Sequence, residues 1–113
     1  MDEELASLIE EIANKLNSNP RYGKVFRGWD VVMQVETLEG SKLYVHVSEK
    51  GLSIKDGRHP SPTLTLRASE RVLKAVLSGE MSEVKAFFTG RIRVKGDLVL
   101  AERLYRKVKS LLS

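Results

Sequence analysis
Apolar residues recur along this chain first with the period of a helix and then with that of a strand. Leu5, Leu8, Ile9, Ile12, Ala13 and Leu16 follow i, i+3, i+4, i+7 spacing and form one stripe of an amphipathic helix. Asp2, Glu3 and Glu4 lie at its start, where the helix dipole favours negative charge, and Asn17, Asn19 and Pro20 mark its end. An irregular link then carries Tyr22, Gly23, Phe26 and Gly28. From Trp29 the period becomes two. Trp29, Val31, Met33 and Val35 share one strand face, and Asp30, Gln34 and Glu36 take the other. After a turn at Glu39-Gly40, Leu43, Val45 and Val47 alternate with Lys42, Tyr44, His46 and Ser48. After a second turn at Lys50-Gly51, Leu52 and Ile54 alternate with Ser53 and Lys55. The pattern predicts a three-stranded antiparallel meander with one apolar face.

A loop from Asp56-Gly57 runs through Arg58, His59, Pro60, Ser61 and Pro62, whose two prolines exclude helix and central strand. Leu64 and Leu66 alternate with Thr63, Thr65 and Arg67 in a fourth strand. Ser69 is a good N-cap for a short helix with Val72, Leu73, Val76 and Leu77, stopped by Gly79. Ser82 caps a second short helix with Val84, Phe87 and Phe88, stopped by Gly90. Ile92 and Val94 alternate with Arg91, Arg93 and Lys95 in a fifth strand, and Gly96-Asp97 opens a last helix with the stripe Ala101, Leu104, Tyr105, Val108, Leu111 and Leu112. All five strands are apolar on one face only. The expected fold is therefore α+β: a five-stranded, mostly antiparallel sheet with one face covered by helices. The order is helix, three strands, crossover, strand, helices, strand, helix.

Composition narrows the function. With 113 residues, 42% of them hydrophobic, the chain is expected to form a single domain with one core. The absence of cysteine excludes a disulfide framework, a thiolate metal site and a Cys nucleophile. The acidic start Met1-Asp2-Glu3-Glu4 is unlike a signal or transit peptide, and no apolar run is long enough for a membrane span, so a soluble, cytoplasmic protein is expected. The net charge of +4 is unevenly placed. Residues 1–56 carry 7 basic and 10 acidic side chains, whereas residues 57–113 carry 12 basic and 5 acidic. A basic second half suits an anionic partner or simply a solvated surface.

Catalytic signals are absent. His46 falls on a polar strand face and His59 in the proline loop, with no metal-ligand spacing between them. No phosphate-binding glycine loop and no nucleophile elbow are present, and the adjacent Glu10 and Glu11 point different ways on a helix. The sequence thus points away from an enzyme and calls for no cofactor and no metal. Arg91, Arg93 and Lys95 put three cations on one strand face, with Lys55 and Arg67 on the same side of a continuous sheet. Only Tyr44 joins them as an aromatic, so the stacking platform of an RNA-binding sheet is missing and nucleic acid is not expected as a partner.

Residues 90–101, Gly-Arg-Ile-Arg-Val-Lys-Gly-Asp-Leu-Val-Leu-Ala, resemble the sterol carrier protein type 2 family. The shared pattern is a glycine, a short basic-apolar strand, then Gly-Asp opening a helix with a small alanine. Pro62-Thr63-Leu64-Thr65-Leu66, Leu77-Ser78-Gly79-Glu80 and Ala86-Phe87-Phe88-Thr89-Gly90 match in the same order. The likeness is sharp from Pro62 to Leu104, looser from Trp29 to Gly57, and over residues 1–28 extends only to a helix. The chain departs from the family in ending Ser110-Leu111-Leu112-Ser113, without the peroxisomal signal of some members, and in its strongly basic strand Arg91 to Lys95.

The resemblance implies one sterol-carrier-protein-like domain over residues 1–113. It implies a non-catalytic lipid-binding or lipid-transfer role, with a sterol, fatty acid or fatty acyl-CoA in an apolar tunnel between sheet and helices. A tail gains about 0.8 kcal/mol per buried CH₂, so the lining must be apolar. The expected lining is Trp29, Met33, Leu64, Leu66, Val76, Met81, Phe87 and Phe88, with Leu104, Val108, Leu111 and Leu112 of the last helix as a lid. The alternative is the same fold with a filled core, acting as a dimerisation or partner-binding module. A transient contact with a membrane surface and a homodimer both stay open.

Overall fold
A computed structural model describes all residues from Met1 to Ser113. Helix α1 (Glu3–Ser18) is capped by Asp2, whose carboxylate accepts from the Leu5 amide at 3.0 Å. It buries Leu5, Ala13 and Leu16 from the expected stripe and ends at Asn19. Strands β1 (Asp30–Thr37), β2 (Lys42–Ser48) and β3 (Gly51–Asp56) form the expected meander, with Val31 opposite Val47 and Val45 opposite Ile54. Strand β4 (Leu64–Ala68) returns beside β1 and runs parallel to it, and β5 (Ile92–Gly96) pairs antiparallel with β4. The sheet order is β3-β2-β1-β4-β5, so β3 and β5 are opposite edges. With one parallel pair among four, the sheet is mixed but mostly antiparallel, and the fold is α+β as read from the sequence.

The link before β1 is less irregular than the sequence suggests. Tyr22–Val25 forms a helical turn, α2, which buries Tyr22 and hands Phe26, fully buried, to the centre of the core. The i, i+4 spacing of these two aromatics is the reason: one turn brings their rings to 4.8 Å. The Tyr22 hydroxyl donates to the Ser48 carbonyl, and burial pushes its pKa up to about 12. Both serine caps form as expected. Ser69 caps α3 (Glu70–Leu77) and Ser82 caps α4 (Glu83–Phe88), each accepting from an amide three residues on. Asp97 caps α5 (Leu98–Leu112) in the same way.

The face away from the helices is not uniformly wet. Gln34 is only 1% exposed, because the 57–62 loop has to cross β2 and β1 to bring β4 into place. Its side-chain amide donates to the carbonyls of Leu43 and Gly57, both at 3.0 Å, and its carbonyl accepts from the His59 amide at 2.8 Å. Every polar atom of that side chain has a partner, which makes its burial tolerable. Gly96 shows a second close approach. At φ +110° it lies where a Cβ would come within 2.7 Å of the Thr63 carbonyl oxygen, so the turn from β5 into α5 requires glycine.

Candidate functional site
The helical layer is anchored thinly. Helix α3 buries Leu73, α4 buries Ala86, and α5 buries only Leu104 and Leu111 over 15 residues. Polar contacts hold α5 on both flanks of that apolar line. On one flank Lys107 Nζ donates to the Val25 carbonyl at 2.8 Å and Arg21 Nη2 to the Ser110 carbonyl at 2.8 Å, while the Asn19 amide donates to Leu111 at 3.0 Å. The Lys107 ammonium also lies 5.4 Å from the Trp29 ring centroid, and Arg103 lies over the same ring at 5.9 Å. On the other flank the Tyr105 hydroxyl donates to Glu83 at 2.6 Å and Lys109 pairs with the same carboxylate at 3.2 Å. The Tyr105 hydrogen bond, helped by the Glu83 backbone amide and Lys109, holds the Glu83 carboxyl below its usual value; the hydrogen bonds that Tyr105 and Lys109 each make to Glu83 raise both above theirs.

The twelve residues expected to line a tunnel fall into three groups. Leu64, Leu104 and Leu111 are buried. Trp29, Met33, Leu66, Val76, Met81 and Val108 are half-buried against the core, with Trp29 edge-on to Phe26 at 5.3 Å. Phe87, Phe88 and Leu112 are exposed, Phe88 at 80%. The first two groups share the helix-covered side of the sheet; the third stands at the rim of that layer. Two grooves open near it. One, about 480 Å³ between α2 and α5, is lined by Arg21, Lys24, Val25, Arg106, Lys107 and Ser110. The other, about 730 Å³ beside α3, is bordered by Arg71, Lys74, Glu80, Met81 and Arg91 among others. Both are lined mainly by polar and charged residues, and only Met81 of the twelve borders either.

The sequence did not disclose the carboxylate that braces α5 or the cations over Trp29. Glu83 follows the cap of a short helix, a position that reads as a dipole contact and nothing more. Lys107 and Arg103 lie one turn apart, a visible spacing, but only the packing of α5 over Trp29 gives that face a partner. The histidines are locally engaged. His46 pairs with Asp30, and His59 accepts from the Ser61 amide and stands edge-on to Tyr44 at 5.0 Å. No three His, Asp or Glu side chains gather closely enough to hold a metal ion. No helix is long and apolar enough to cross a membrane.

Several solved structures share this architecture. Palmitated SCP2L2 from Aedes aegypti superposes with a TM-score of 0.74 at 22% identity, over 96% of this chain and 95% of that one. Apo sterol carrier protein 2 from Yarrowia lipolytica gives 0.67 at 17% identity, over 91% and 97%. The sterol carrier protein domain 2 of Helicoverpa armigera gives 0.73 at 16% identity, over 96% and 87%. These likenesses establish the fold. Among curated protein sequences none matches this one closely. The sequence profile of the SCP-2 sterol transfer family, however, matches residues 9–109, nearly the whole chain, and on that ground the chain belongs to the SCP-2 sterol transfer family.

Proposed function
We propose that residues 1–113 act as one non-catalytic domain that binds or transfers a sterol, fatty acid or fatty acyl-CoA between the sheet and helices α3 to α5. Membership of the family supports a lipid as partner. The observation that carries the reading is the incomplete cover of that layer. Val84, Phe87 and Phe88 of α4 and Leu98, Val99, Tyr105 and Leu112 of α5 are exposed beside half-buried Met81 and Val108. Apolar side chains left at the rim of a layer are what an apolar ligand would cover. The Aedes aegypti protein of the same fold is described as palmitated, which favours a fatty acyl ligand.

In this reading the twelve named residues form the lining, with α5 as the lid. Displacing α5 costs two buried leucines and a handful of polar contacts, less than moving any strand. A cysteine-free chain suits the cytoplasm. The test is uptake of a fluorescent fatty acid in vesicle-free solution. Phe87→Glu and Met81→Glu each place a charge in the lining and are expected to weaken uptake at least about tenfold, with the far-UV circular dichroism unchanged. Unaltered uptake by both variants would rule this lining out.

One observation favours a second reading. Leu64, Leu104 and Leu111 are buried, the last two packed into the central core, and the exposed Phe87 and Phe88 then suit a second protein copy. Native mass spectrometry of the purified protein, with organic extraction of a separate sample, separates the two: a bound or extracted lipid supports the first reading, a lipid-free dimer the second.

A further inference from the structure
Residues 84–96 contain Lys85, Arg91, Arg93 and Lys95 and no carboxylate. All four are exposed, and every ion pair of the molecule engages other residues. Arg93 stands directly opposite Arg67 across β4 and β5, two like charges in register. Like charges so placed destabilise a sheet pair. Protection of β5 as an edge strand explains Arg93 and Lys95, yet Lys85 and Arg91 lie outside that strand. Uniform positive sign needs a further reason.

The same segment carries Phe87 and Phe88, whose rings meet edge-to-face at 5.6 Å while Phe88 stays 80% exposed. Charge elsewhere is arranged in the opposite sense. Helix α1 shows Glu10 and Glu11 to solvent, and its C-terminal end reaches the other edge of the sheet, where Asn17 exchanges two hydrogen bonds with Leu52 of β3; Glu4, in its first turn, instead pairs with Lys74 and borders the same groove as Arg91. The α4–β5 corner is therefore a carboxylate-free cationic segment tipped with two phenyl rings.

We infer that the α4–β5 corner docks the protein on an anionic lipid bilayer, with Phe87 and Phe88 entering the headgroup boundary and the cations of the same segment meeting lipid phosphates and carboxylates. Aromatic rings partition to that depth, and each nearby Lys or Arg adds roughly a fivefold gain in binding to an anionic leaflet. The inference shares Phe87 and Phe88 with the bound-ligand reading, but its cations belong to no part of that lining: vesicle binding tests them, while fatty-acid uptake without vesicles tests the lining.

The test is co-sedimentation with vesicles of phosphatidylcholine alone and of phosphatidylcholine mixed with phosphatidylserine. The wild type is expected in the pellet only with the mixed vesicles, and added salt should release it. The triple variant Lys85→Glu, Arg93→Glu, Lys95→Glu should bind about 100-fold more weakly. Because the chain has no cysteine, an environment-sensitive dye can be placed singly at Phe88→Cys or, as a control, at Glu11→Cys. Its emission should shift to the blue with mixed vesicles at position 88 and stay unchanged at 11. Equal binding to neutral vesicles, full binding by the triple variant, or a shift at position 11 instead would overturn the inference. So would binding of single-stranded RNA by these cations with no binding to vesicles.

Discussion
Phe26 and Phe88 are the same side chain in opposite circumstances. Phe26 is 0% exposed, packed between Tyr22 and Trp29; Phe88 is 80% exposed, its ring edge-to-face with Phe87. The contrast extends to the halves that hold them. Of the 19 buried residues, 12 lie before residue 57, whereas seven of the nine large exposed apolar side chains lie after it. The first half is acidic and closed; the second is basic and open. One half holds most of the buried core, and the other leaves most of the large exposed apolar side chains.

The largest effect should separate the two phenylalanines. Phe26→Ala is expected to cost about 3–5 kcal/mol in urea unfolding, through lost burial and a cavity. Phe88→Ala should stay within about 0.5 kcal/mol of wild type while weakening vesicle binding. Equal costs would erase the distinction between the halves. Gln34→Ala comes next, at about 1–3 kcal/mol, because it strands the Gly57 carbonyl and the His59 amide. Faster hydrogen exchange across residues 57–62 would show that the loss is local to the crossover. Gly96→Ala should cost a similar 1–3 kcal/mol, about as much as other strained backbone positions, and its effect should fall on the packing of β5 against β4 and not on the meander.

The smallest effect is one of pH. The folded Glu83 carboxyl lies below its ordinary value of 4.5, so the unfolded chain binds the proton more readily. The contribution of this contact is fully present above pH 4.5 and is lost as pH falls through the lower folded value. Tyr105→Phe should move Glu83 back toward its ordinary value and flatten that part of the stability profile, measurable by thermal melts from pH 6 to 3. An unchanged profile would remove Glu83 as a brace of α5.

The elements themselves were legible because each carries its own punctuation. Ser69 and Ser82 announce helix starts, Glu39-Gly40 and Lys50-Gly51 close hairpins, and Pro60 and Pro62 enforce the loop. The position of β4 between β1 and β5 has no such mark, since strand order depends on where the loop carries the chain. Gln34 reads as a surface residue, because burial by a loop leaves no periodic trace. The family resemblance pointed to the right fold, but the side chains assigned to the lining divide by depth in the structure. Phe87 and Leu104 look alike in a hydrophobic pattern; hydrophobicity reports what a side chain prefers, not whether the fold has enough layers to cover it.

The parallel pairing of β1 with β4 has a consequence in time. Both hairpins of the meander close over short loops, but the partner for the other side of β1 lies beyond β2, β3 and the proline loop. Closing the longer loop is slower, so a refolding chain passes through a stage in which the meander exists and one flank of β1 is bare. A bare strand flank will pair with any similar strand that meets it first. Refolding yield should therefore fall as protein concentration rises, in a kinetic competition between β4 of the same chain and β1 of its neighbours.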